Sequence, residues 1–179
     1  MMQQQRYNGM AILFHWLIAL MIIGSFTLGL VMTEMPGISP TKLKFYSWHK
    51  WAGVTILALA TLRLLWRLTH PGPAYPASMP GWQKTTANAL HGLLYVLMFA
   101  VPLSGYLYTL SAGYPVLYFG LFELPVLIAK NDEIKPVLKD VHFWLNMGLA
   151  GAVALHVAAA LKHQFIDRDG VLKRMLPSA

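Results

Sequence analysis

Four stretches of this chain stay apolar for longer than a soluble core element needs, and short polar or proline-rich segments separate them. The first runs from Gly9 to Thr33 without a charge, and about 25 residues suffice to cross a bilayer with some tilt. It is also too long for the apolar core of a signal peptide, about 7–15 residues. The second covers 46–68 and ends in RLLWRL, which sets Arg63, Trp66 and Arg67 at a membrane edge. The third covers 85–110, where Pro102 predicts a kink, and the fourth covers 140–165. The pattern predicts an all-α membrane protein, a four-transmembrane-helix bundle forming one membrane domain over residues 1–179.

The connections fit that threading. Residues 34–44 form a short Pro/Gly loop, and 70–84 hold Pro71, Pro73, Pro76 and Pro80, which keep the segment non-helical. Residues 111–139 make the longest connection. Its YPVLYFGLFELPVLIA run is apolar but broken by Pro115, Gly120, Glu123 and Pro125, and reads as an interfacial segment lying on the membrane.

Composition narrows the chemistry. Hydrophobic residues make up 56% and charged residues 12%, about half the charge of a soluble domain. The chain has no cysteine, which excludes disulfides, iron–sulfur clusters, thiolate metal sites and C-x-x-C-H haem attachment. The net charge of +7 bears on topology and membrane lipid, with no motif for nucleic acid. Four antiparallel spans put Arg6, Arg63, Arg67, Lys84, Lys162, Arg168, Lys173 and Arg174 on one side. Lys42, Lys44, Lys50, Lys130, Lys135 and Lys139 fall on the other. All the arginines share the first side, so both termini are expected in the cytoplasm.

Histidines are the chemistry left. His142, His156 and His163 stand nearly in one file along the fourth span, the first two about 21 Å apart by helical rise. Ionisable residues at membrane depth are costly and normally face a bundle interior where something uses them. Threading places His49 and His142 near the outer side, and His15, His91, His156 and His163 toward the inner side. Haem takes an axial ligand from each side of its plane, and facing helices of a bundle supply them. His49 and His142 form the natural outer pair, and His15 is the inner partner best placed for His156, with His91 and His163 as competitors. His70 reads as solvated in its loop. Gly53 and Gly148 are expected to let a macrocycle edge approach the backbone. Arg63, Arg67 and Lys162 are candidate partners for inner propionates, Lys50 for outer ones, and His163 for a propionate or a quinone.

FHWL at 14–17, His49 with Gly53, ALHGLLYVL at 89–97, VHFW at 141–144, LHVAAALKHQFID at 155–167 and LKRML at 172–176 together resemble the bacterial diheme cytochrome b561 family. The same arrangement is similar to the cytochrome b subunits that anchor formate dehydrogenases and nickel–iron hydrogenases. The resemblance implies two haem b groups in the bundle core of an inner-membrane electron carrier, His49 and His142 holding the periplasmic one and His15 and His156 the cytoplasmic one. It further implies oxidoreductase function in electron transport between a periplasmic-side donor, superoxide among the candidates, and membrane ubiquinone or menaquinone. Some relatives carry two adjacent histidines where this chain has His163 followed by Gln164. Two other readings stay open: a haem-bearing anchor for a periplasmic dehydrogenase or hydrogenase, as a protein redox partner, and a homodimer of the chain. A histidine-lined proton or metal transporter is disfavoured, because no carboxylate lies in the interior of a span and no internal repeat is visible.

Overall fold

A computed structural model describes residues 6–177. Helix α1 spans Gly9–Glu34, α2 Pro40–Thr69, α3 Gly81–Ser111 and α4 Ile134–Lys162. All four are long and apolar enough to cross a membrane. Three begin earlier than the apolar runs predict, at 40, 81 and 134 against 46, 85 and 140. The apolar run marks the hydrocarbon thickness, whereas the helix itself continues into the headgroup layer until a cap or a proline stops it. At the start of α1 the Asn8 side chain accepts the Ala11 N–H at 2.8 Å. Ser39 does the same for Lys42 in α2 at 3.2 Å, with Pro40 in the first turn. Pro102 lies inside α3 and leaves the Met98 carbonyl without its usual helical donor.

The helices pack α1 on α2, α2 on α3 and α3 on α4. Leu97 and Val101 of α3 meet Leu149 and Ala152 of α4 in one buried cluster, and Ile18, Ala60 and Met98 from α1, α2 and α3 form a second. Both clusters lie between the outer and inner histidine levels. Leucines such as Leu20, Leu65 and Leu155 are more than half exposed. Lipid tails are as apolar as leucine, so nothing drives these side chains inward.

The 111–139 connection contains a small element of regular structure. It folds into an antiparallel hairpin, β1 (Leu117–Tyr118) with β2 (Phe122–Glu123), which rests on α2. In its turn Phe119 (φ 49°) precedes Gly120 (φ 75°). The left-handed region costs a bulky L-residue roughly 1–2 kcal/mol, so docking must hold Phe119 there.

At the inner end α4 passes into a π-helical turn, α5 (His163–Asp167), and the chain reverses at Arg168 (φ 52°) into a short 3₁₀ helix, α6 (Leu172–Met175). That tail closes back on the start of α1. Tyr7 N–H donates to the Arg174 carbonyl at 3.2 Å, Trp16 Nε1 to the Met175 carbonyl at 2.8 Å, and Arg6 to the Leu176 carbonyl.

Candidate functional site

The outer histidines face each other from α2 and α4, with ring centroids 6.3 Å apart. Each is held by the helix beside it. His49 Nδ1–H donates to the Ser25 carbonyl of α1 at 3.0 Å, with the Ser25 hydroxyl at 3.2 Å. His142 Nδ1 stands 3.1 Å from the Val101 carbonyl and 3.0 Å from the Ser104 hydroxyl of α3. A histidine that spends Nδ1–H on a carbonyl keeps the Nε2 lone pair for a metal, and the same bond fixes the ring. In His142 that nitrogen lies 3.2 Å from the Asn146 amide. Both rings border a cavity of about 260 Å³, lined otherwise by Ile56, Met98, Leu149 and other apolar side chains and by Gly53.

Two glycines that the sequence pattern does not single out make room for the rings. A Cβ on Gly29 would lie 3.2 Å from His49 Cε1, and one on Gly105 only 2.7 Å from His142 Cε1. Of the two glycines expected to admit a macrocycle, Gly53 does border the cavity, whereas Gly148 faces the Leu97 side chain at 4.0 Å. No spacing rule could have found Gly29 or Gly105, because their role depends on which helix lies opposite. Gly105→Ala is expected to push His142 from its seat at a cost of about 1–3 kcal/mol, the usual penalty for overpacking. Thermal melting and haem content of the purified variant check this; unchanged values would mean that the ring can step aside freely.

The inner level gathers a histidine from each of three helices. His156 of α4 has His15 of α1 at a centroid distance of 6.0 Å and His91 of α3 at 5.3 Å. The remaining helix, α2, contributes Arg63 to this level. Its Nε donates to the Tyr95 hydroxyl at 3.2 Å, and Tyr95 follows His91 by one turn, so the guanidinium is tied across to α3. Arg67 is exposed, its guanidinium 5.7 Å from the Tyr95 ring centre.

The other predicted residues point elsewhere. Lys162 Nζ is bound to both carboxylate oxygens of Asp167, at 2.5 and 2.8 Å. His163 Nδ1 meets Asp169 at 2.7 Å and Asp167 at 3.2 Å, inside the folded tail and not in the histidine trio. Lys50 directly follows His49 on α2 and is half-buried. His70 stacks on Trp66 at 3.9 Å in the exposed loop, as its position suggested.

The residues at the outer level suit a haem. Two imidazole nitrogens, each about 2 Å from one shared metal, hold their ring centroids about 6 Å apart, and both pairs that include a predicted partner lie near that separation. The apolar cavity and the fixed Nδ1 bonds supply the rest of what a non-covalent porphyrin needs. Residues 6–178 match the family described as prokaryotic cytochrome b561.

The chain belongs to that family.

Cytochrome b561 homolog 2 of Escherichia coli (strain K12) is 36% identical over 172 residues, covering 96% of this chain and 92% of the relative. Cytochrome b561 homolog 1 of the same organism is 30% identical over 173 residues, 96% and 97% of the two chains. A protein named probable superoxide oxidase CybB, from Yersinia pestis, is 28% identical over 177 residues, 97% of each. Membership makes this chain a multi-pass bacterial membrane protein that binds b-type haem and transfers electrons.

Proposed function

We propose that this cytochrome b561 carries two haems and moves electrons between a donor on the periplasmic side and the membrane quinone pool, with both termini in the cytoplasm. The observation behind this reading is the pair of histidine levels along α4. His142 meets His49 at one level, and fourteen residues further His156 meets His15 at the other. By helical rise the levels are about 21 Å apart, so between them they reach toward both faces of a hydrocarbon core of about 30 Å. When bound, each haem supplies a one-electron iron couple.

The chain's own share is positional and electrostatic. Two imidazoles at each level would leave no free coordination position, so oxidant or donor must act from the edge. Arg63 and Arg67 stand at the inner level as partners for propionates, where a guanidinium can bind a carboxylate through two N–H groups. Lys162 is a weaker candidate, because its ammonium already neutralises Asp167. His163, held by Asp167 and Asp169, is the group on this side suited to bond a quinone carbonyl and to pass it a proton. On the outer side Lys42, Lys44, Lys50, Lys130, Lys135 and Lys139 make an anion welcome. The superoxide oxidase name of the Yersinia pestis relative therefore suggests superoxide as the donor.

The test is a reduced-minus-oxidised absorption spectrum of the purified protein with haem counted per chain, followed by titration with a soluble ubiquinone. Two low-spin b-type haems that reoxidise with quinone are expected. One haem per chain would remove a level, and reduced haems that ignore quinone would remove the acceptor.

A further inference from the structure

The segment from Tyr114 to Leu127 does not stay over the mouth of the bundle. It descends along α2. Trp51 Nε1–H donates to the Leu117 carbonyl at 2.8 Å, and the Trp51 ring stacks on Phe119 at 4.7 Å. The hydroxyls of Tyr118 and Thr55 lie 2.8 Å apart. About twenty residues of helix fill a 30 Å hydrocarbon core; counted back from Trp66 at the inner edge they begin near Ser47. Trp51 is then about 6 Å and Thr55 about 12 Å inside the outer edge. We infer that the 117–123 hairpin is a re-entrant element immersed in the outer leaflet, with lipid acyl chains as the partner of its apolar face.

Three observations carry this. Leu117, Phe119, Leu121, Phe122, Val126 and Leu127 are each more than half exposed, and they continue the lipid-facing side of α2, where Trp48 is also half exposed. The one charge in the segment, Glu123, pairs across from Leu117 at the level of Trp51, nearer the headgroups than the tip. The backbone is also prepared for a medium without water. Leu121 N–H donates to Tyr118 and Leu124 N–H to Val116, both at 2.9 Å, while Tyr106 donates to the Pro125 carbonyl. Pro115 and Pro125 carry no N–H at all. Non-helical backbone at membrane depth is tolerated only where protein covers it, and docking on Trp51, Thr55 and Tyr106 supplies that cover on one side. The docking residues Trp51 and Thr55 stand about 160° and about 120° round α2 from His49, so the hairpin lies on the lipid side of that helix and not over the histidine pair.

The chain has no cysteine, so a single introduced thiol reports alone. A nitroxide on Leu121→Cys, in the haem-loaded full chain in phosphatidylcholine/phosphatidylglycerol vesicles, is expected to be relaxed several-fold more by oxygen than by a water-soluble nickel chelate. A label on Lys44→Cys is expected to show the opposite preference. Adding Trp51→Ala to Leu121→Cys is expected to raise nickel access several-fold, because the tip loses its dock. If the Leu121→Cys label met nickel as readily as the Lys44→Cys label, the hairpin would be in water and the inference overturned. Labels closed to both reagents and broadened by a neighbouring label would mean a second copy covers the tip, which overturns it equally. Phe122→Cys serves in the same assay should Leu121→Cys not load haem.

Discussion

His142→Ala is expected to leave one haem per chain in place of the proposed two, and to cut electron transfer between the faces by more than about 10²-fold. The reason is local. His142 is the only α4 imidazole at its level, and His49 alone cannot hold a six-coordinate iron. The carbonyl of Val101 and the hydroxyl of Ser104 orient the ring, yet neither can replace it as a ligand. Trimming the side chain enlarges a cavity that is already there, so the four helices should survive and the inner haem should stay. Ser104→Ala supplies the graded control. It removes one partner of Nδ1 and keeps the ligand, and outer-shell changes of this kind weaken metal binding about 10- to 100-fold. Adding free imidazole to the His142→Ala protein should restore the lost part of the spectrum, because the hole has the ligand's shape. Two haems with unchanged spectra in His142→Ala would falsify the outer pairing.

How much of this can be read from the chain depends on what each signal measures. The fourteen-residue step from His142 to His156 is nearly a whole number of helical turns, so the two levels are legible in the residue spacing alone. Which helix faces which is not, because depth along a span says nothing about direction around the bundle. His15 and His91 share a depth, and only the packing shows both against His156. Helix ends are hard to place for a related reason. Lys42 and Lys44 are polar enough to leave the hydrocarbon but remain good helix formers, so α2 begins at Pro40. The hairpin is hidden because its strands are two residues long, too short for any alternation to be detected. Phe119 in a left-handed turn is a choice that local propensity argues against. Lys162 and His163 read as partners for the site because they follow His156 by about two turns. The π turn brings Asp167 to them and the reversal at Arg168 brings Asp169 to His163 instead.

The inner trio gives the second large effect. His156→Ala is expected to remove the inner haem and abolish quinone reduction, since His156 is the one ring that touches both of the others. His15→Ala should do the same, and His91→Ala should keep both haems. The argument for His15 is room. α3 and α4 pack directly on each other through Leu97, Val101, Leu149 and Ala152, and the His91 and His156 rings are drawn to 5.3 Å. That is tighter than the roughly 6 Å that two imidazoles on one metal require. The 6.0 Å between His15 and His156 meets it and resembles the 6.3 Å of the outer pair. His91 would then sit beside the inner haem as a neighbour and not a ligand, next to Tyr95 and Arg63. Its loss should shift that haem's midpoint potential without changing the count, as expected for a group that tunes a metal site from outside its ligands. Haem per chain and a redox titration of the three variants separate the cases. If His91→Ala loses a haem while His15→Ala retains two, the macrocycle lies between α3 and α4. In that case the direct packing of those helices must open when haem binds.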